Sequence, residues 1–278
     1  MPALARCGGL PMPGHEGVLP RAARLAQVVQ ESARVRRFVL DARVEADPGQ
    51  FVMLWLPGVD ERPFSLVSPD PITLLVSRVG AFTEALHGLQ QGDWVWWRGP
   101  LGHGFSLPSL GGCSEGEQAG QLLLVGGGYG VAPLLFLAHR ARVVGWPARV
   151  AIGARTHAQL LLHDELAALG CHVQVGTEDG SCGHKGLVTE VVERELAASA
   201  LRQPSQQVRF VYGCGPQAML DALRTLCCQR RLPCQLSYEA VIKCAVGVCG
   251  SCARDGLLVC RDGPVLEWSA DDRPWGGC

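Results

Sequence analysis

The chain has 278 residues, 25 Lys plus Arg against 26 Asp plus Glu, a formal net charge of −1 and 47% hydrophobic residues. That balance argues against the basic footprint of a nucleic-acid-binding protein or a polybasic membrane patch, and the length suits about two domains with a small appendage. No apolar run approaches the roughly 20 residues needed to span a bilayer.

Residues 1–21 carry no apolar signal core and read as an N-terminal extension rather than a secretory leader. Residues 22–108 are β-rich. Short runs such as GQFVMLWLP, RPFSLVSP, ITLLVSRVG and DWVWWRGPLG, separated by Pro, Gly and Asp, predict a small antiparallel barrel, with FTEALHGLQ as its one short helix. Residues 109–120 form a polar, Gly-rich linker. From 121 to 236 strands and helices alternate, which predicts a parallel sheet covered by helices. AQLLLHDELAALG reads as one of those helices and CQLSYE as the last strand. Residues 237–278 hold a cysteine-rich loop and a short tail.

Thirteen cysteines in an enzyme-sized chain, four of them at metal-binding spacing, favour a reducing compartment, the cytoplasm. Those four are Cys244, Cys249, Cys252 and Cys260, in the pattern C-x₄-C-x₂-C-x₇-C. Four thiolates also make a zinc site, but zinc knuckles use paired C-x₂-C units. The unequal spacing here matches a plant-type 2Fe–2S cluster. Gly247 and Gly250 let the backbone wrap such a cluster and aim N–H groups at its sulfurs.

Four further motifs suggest nucleotide chemistry. Arg62-Pro63-Phe64-Ser65 ends a barrel strand, where Arg62 can pair with a pyrophosphate and Ser65 can hydrogen-bond a flavin edge. A surface arginine before an ordinary edge strand is the alternative. The turn from Gly80 through Phe82 and Thr83 opens a helix, either as a phosphate site or as a plain cap. Val125-Gly126-Gly127-Gly128-Tyr129-Gly130 follows a strand and opens a helix, as a nucleotide loop does, although a tight structural turn would look the same. Tyr212-Gly213-Cys214-Gly215-Pro216 lies at the C-terminal end of a later strand. There a helix N-terminus could lower the pKa of Cys214, or Cys214 is a buried turn residue.

In this order, RPFS, the Gly-to-Thr turn, GPLGHGF, GGGYGVAPL and YGCGP resemble the ferredoxin–NADP reductase superfamily. With Glu239, the four cysteines and CRDGP at 260–264, residues 22–268 are similar to the electron-transfer subunits of dihydroorotate dehydrogenase type B. The resemblance implies an FAD-binding barrel, an NAD-binding α/β domain and a 2Fe–2S segment. It implies FAD contacts at Arg62, Pro63, Phe64, Ser65, Leu75, Val76, Ser77, Phe82 and Thr83. NAD would dock as co-substrate near Gly127, Gly128, Cys214, Gly215 and Pro216, and the cluster ligands would be Cys244, Cys249, Cys252 and Cys260.

The implied partner is a dihydroorotate dehydrogenase catalytic subunit carrying FMN, in a heterotetramer of two plus two serving pyrimidine biosynthesis. The family turn usually has Gly where Phe82 stands, and Gly where Ala245 stands. Two other readings are a related flavin/iron–sulfur NAD(P)H oxidoreductase subunit, of a ferredoxin–NADP transhydrogenase, sulfide or hydrogenase complex, and a zinc-stabilised binding module. Arg155, after the second strand of the α/β half, either favours the 2′-phosphate of NADP or is a simple surface charge.

Overall fold

The computed structural model describes residues 19–108 and 120–269. The extension up to residue 18, the linker 109–119 and the tail from 270 lie outside the described residues.

Six strands close the first unit into a barrel in the order β1-β2-β5-β4-β3-β6. They are β1 (Arg21–Gln30), β2 (Val35–Leu40), β3 (Phe51–Leu56), β4 (Asp60–Pro69), β5 (Ile72–Ser77) and β6 (Trp94–Leu101). Every pairing is antiparallel. Alternate residues such as Phe38, Leu40, Val52, Leu54, Leu66 and Leu74 fill the interior, as the two-residue strand period requires. Helix α1 (Ala81–His87) plugs one end with Phe82 and Leu86.

The second unit is a seven-stranded sheet, ordered β10-β9-β8-β7-β11-β12-β15. In chain order it runs β7 (Gln121–Gly127), α2 (Ala132–Val143), β8 (Ala148–Ala154), α3 (His163–Ala168), β9 (His172–Thr177), β10 (His184–Lys185), α4 (Val188–Ser199), β11 (Val208–Cys214), α5 (Gln217–Arg230) and β12 (Cys234–Ser237). These strands pair in parallel. Helix α2 is buried along most of its length because it is wedged between the sheet and the barrel, and its Phe136 joins the barrel's apolar cluster.

Two features differ from the sequence prediction. The stretch 158–170 is not one helix. Leu161 and Leu162 turn into the core, Leu162 takes a left-handed backbone (φ 57°), and only the six residues of α3 are α-helical, after a 3-10 turn at His157–Gln159. Burying adjacent leucines outweighs the helical preference of the segment. The C-terminal segment also returns to the sheet. After the hairpin β13 (Ala253–Arg254) and β14 (Leu257–Leu258) and a turn α6 (Val259–Asp262), strand β15 (Val265–Trp268) pairs antiparallel with β12. Among the described residues no helix is long and apolar enough to cross a membrane.

Candidate flavin, nucleotide and iron–sulfur sites

In the sheet order, β7 and β11 are the neighbours at which chain progression reverses, and such switch points open a crevice at the strands' C-terminal ends. The turns 126–130 and 214–216 meet there. A Cβ at Gly130 would collide with the carbonyl of Cys214, so glycine is needed for the two turns to touch. A cavity of about 600 Å³ extends from this crevice, lined by Gly127, Gly128, Tyr129, Arg155, Glu178, Pro216 and Met219 among others. Gly215 is not part of its lining and packs behind, against Gly127 and Met219.

A second cavity, of about 270 Å³, lies between barrel and sheet. Pro63, Phe64, Ser65, Leu75, Ser77 and Thr83 face it from the barrel, Tyr129, Pro133 and Cys214 from the sheet, and Glu239, Ala240 and Ile242 from the chain leading to the cysteine loop. It shares Ser77, Val79 and Tyr129 with the first cavity. A third, of about 500 Å³, holds Arg62, Gly80, Phe82, Thr83 and Lys243, and shares Pro63, Phe64, Val79, Thr83, Ala240 and Ile242 with the second. Val76 is the exception among the expected flavin contacts, for its side chain is fully buried inside the barrel.

Arg62 is half exposed and pairs with Asp60 at 2.5 Å. The Thr83 hydroxyl donates to Gly80 O at 2.9 Å and accepts from the amides of Val79 (2.9 Å) and Gly80 (3.0 Å). These three bonds fold the turn. Of its two sequence readings, Cys214 takes the buried one. Burial pushes its thiol up to about 12, against an opposing Ser237 hydrogen bond, so any pull from the α5 N-terminus is overridden and the thiol stays protonated. Tyr129 hydrogen-bonds Glu239, whose carboxyl is raised by burial and only partly held down by that bond.

The cysteine loop packs on the outside of the barrel, where Ile242, Ala245, Cys252, Val259 and Cys260 cluster with Phe51 and Met53 of β3. The backbone amides of Val248 and Cys249 point at Cys244 Sγ (3.3 and 3.4 Å), and that of Cys260 at Cys252 Sγ (3.4 Å). Burial opposes ionisation of Cys244, but amides of the loop outweigh it and lower its pKa. Hydrogen bonds from Ser251, then from the Cys244 side, bring the exposed Cys249 down to about 6. Burial, then Cys252, takes Cys260 up to about 12.

Cys249 neighbours Cys244, and Cys260 neighbours Cys252 and feels the charge of Cys244. A single zinc needs all four sulfurs at about 2.3 Å from one centre. Four neighbouring thiols with amides aimed at the Cys244 and Cys252 sulfurs suit an iron–sulfur cluster, which they would hold.

Comparison with known proteins agrees with this layout. Residues 239–270 match the iron–sulfur cluster binding domain of dihydroorotate dehydrogenase B, and residues 124–225 match an oxidoreductase NAD-binding domain. The chain is 38% identical over 264 residues to the probable dihydroorotate dehydrogenase B (NAD(+)) electron transfer subunit of Methanothermobacter thermautotrophicus, covering 91% of this chain and 90% of that one. The chain belongs to the dihydroorotate dehydrogenase B electron-transfer subunits. A second member, from Thermococcus kodakarensis, is 39% identical, with 89% and 96% covered. Among solved structures, the NADH-dependent reduced ferredoxin-NADP oxidoreductase superposes with a TM-score of 0.74 at 25% identity, covering 94% of this chain and 90% of that one. The FAD/NAD-binding domain of a Vibrio cholerae nitric oxide dioxygenase shares the fold, with a TM-score of 0.62 at 20% identity, covering 76% and 94%.

The sequence motifs did not reveal that Glu239, Ala240, Ile242 and Lys243 line the same cavities as the RPFS strand. The only signal is their position immediately before Cys244. Nor did the GPLGHGF motif reveal its role. Its His103 backbone bridges Pro264, and a Cβ on Gly102 would strike Gly263 O, so this turn seats the end of the cysteine segment.

Proposed function

We propose that this chain carries electrons between NAD and the catalytic subunit of a dihydroorotate dehydrogenase. The observation that carries the reading is the continuity of its three cavities, which share walls from the β7–β11 crevice to the chain entering the cysteine loop. FAD and a 2Fe–2S cluster, when bound, supply the exchange between hydride pairs and single electrons that no side chain can perform.

The protein's part is orientation. Arg62 and the first-turn amides of α1 would hold the flavin pyrophosphate. Pro63, Phe64, Ser65, Leu75 and Ser77 would flank its ring. Gly127, Gly128 and Pro216 would admit the nicotinamide nucleotide from the opposite side, with Cys214 as a neutral wall. Cys244, Cys249, Cys252 and Cys260 would hold the cluster. Val241, Val246 and Val248 stand exposed around that loop and offer an apolar seat for an FMN-bearing catalytic subunit. We place the complex in the cytoplasm as two copies of each subunit, passing electrons from dihydroorotate to NAD⁺ in pyrimidine synthesis.

The test is co-purification with the catalytic subunit, followed by a dihydroorotate-dependent assay of NAD⁺ reduction. Activity that requires both chains supports the reading. A chain that binds no flavin and copurifies with zinc overturns it.

A further inference from the structure

We propose that Arg98 is a positioning residue for the iron–sulfur loop, fixing the Cys244–Ala245 peptide and, through it, the thiolate of Cys244. The proposal rests on the reading of that loop as a cluster site.

Arg98 lies on β6 and is only 7% exposed. Its Nε and Nη2 donate to Glu61 Oε1 and Oε2 at 2.6 and 2.8 Å, a two-pronged pairing that fixes the plane of the guanidinium. The same Nη2 donates to the carbonyl oxygen of Cys244 at 3.1 Å, across 146 positions of sequence. That bond acts at a strained point. Ala245 is a non-glycine residue with φ 58°, in the left-handed region that side chains disfavour. Such a conformation persists only where its surroundings impose it. Two contacts do so, namely the burial of the Ala245 methyl against the barrel and the Arg98 bond to the preceding carbonyl. With that carbonyl committed to Arg98, the amides of Val248 and Cys249 are left facing Cys244 Sγ.

The turn after β6 holds the other end of the segment. His103 N donates to Gly263 O at 2.5 Å, and Val265 N donates to His103 O at 3.4 Å. One strand and its following turn therefore fix both ends of the loop.

Glu61 decides how Arg98 acts. The ion pair is neutral as a unit, so Arg98 influences the cluster through geometry rather than net field. Removing the Glu61 charge leaves an uncompensated cation beside Cys244, and a cation favours the more negative, reduced cluster. The two residues therefore predict different signatures.

The experiment uses the full chain reconstituted anaerobically with FAD, iron and sulfide. It reads the paramagnetic spectrum after dithionite, the midpoint potential, iron release to a chelator, and FAD per protein as a control for folding. Arg98→Met is expected to keep FAD, to alter the g values and to release iron about tenfold faster or more, the scale seen when groups behind metal ligands are removed. Arg98→Lys is expected to fail likewise, because an ammonium cannot span both Glu61 and the Cys244 carbonyl. Glu61→Gln is expected to keep the iron and shift the midpoint potential upward.

Arg98→Met with FAD bound and an unchanged spectrum, potential and iron release overturns the proposal. If that variant does not fold, Arg98→Lys decides, and FAD bound with an unchanged spectrum and iron release overturns the proposal. A wild-type protein with zinc and no paramagnetic signal would instead defeat the cluster reading itself.

Discussion

The rings of Phe64 and Phe82 stack with centroids 6.0 Å apart and planes 28° from parallel. Phe64 lines both cavities proposed for the flavin, and Phe82 closes the barrel end beneath it. The pair forms an aromatic floor, and such a stack adds about 0.5–1.5 kcal/mol beyond burial. Phe82→Ala is expected to cost about 3 kcal/mol of stability by urea unfolding. It should also weaken flavin retention, whereas Phe82→Leu should recover most of the stability. An unchanged unfolding midpoint in Phe82→Ala would show that the stack contributes nothing.

Arg62 meets Asp60 in an ion pair whose two side chains are both nearly half exposed, and such pairs hold weakly. A pyrophosphate can therefore displace Asp60. Charge-assisted hydrogen bonds contribute about 1.5–3 kcal/mol. Arg62→Ala should thus weaken FAD binding by about 10- to 100-fold, and Asp60→Asn should strengthen it slightly. Titration of flavin fluorescence measures both. Equal affinity in wild type and Arg62→Ala would remove Arg62 from the site.

The thiol of Cys214, raised to about 12 by burial, should resist alkylation at neutral pH. Only the thiolate reacts, and it is scarce until pH approaches that value. Mass spectrometry after iodoacetamide treatment at pH 7–9 is expected to find Cys214 unmodified in folded protein and labelled once the chain is unfolded. Rapid labelling of folded protein at pH 7 would show a different environment.

Glu239 gives a pH signature. Its folded pKa is raised, so the folded state favours the protonated form. The stability this contributes is fully present below the unfolded pKa and is lost as pH rises through the folded one. Glu239→Gln, which stays neutral, should melt at higher temperature than wild type at pH 8, with the difference closing as the pH falls through the carboxylate range. A difference that does not change with pH would refute the assignment.

The barrel, the parallel sheet and the cysteine spacing were legible in the sequence because each is a local pattern. Strand runs such as FVMLWL and ITLLVS, the strand-to-glycine turn at 125–130 and the four thiols within 17 residues announce themselves without distant partners. Other features were not legible. Leu161 and Leu162 look helical until the core that receives them is known. PVLEW is too short to read as a strand until β12 offers it an edge. Cys214 reads as either a reactive or a buried turn cysteine until the depth of its burial is seen.

Sequence by itself thus determined which chemistry this protein can host, since the identities and spacings of Arg62, the glycine turns and the cysteines limit the groups they can hold. Only the tertiary structure decided how those groups are joined. Arg98 meets the carbonyl of Cys244 from 146 positions away, and Tyr129 reaches Glu239 across more than a hundred. Contacts at such separations depend on closing the barrel and threading the last segment back onto the sheet. No local periodicity records that step, because burial and hydrogen bonding act between surfaces that exist only once the chain has folded.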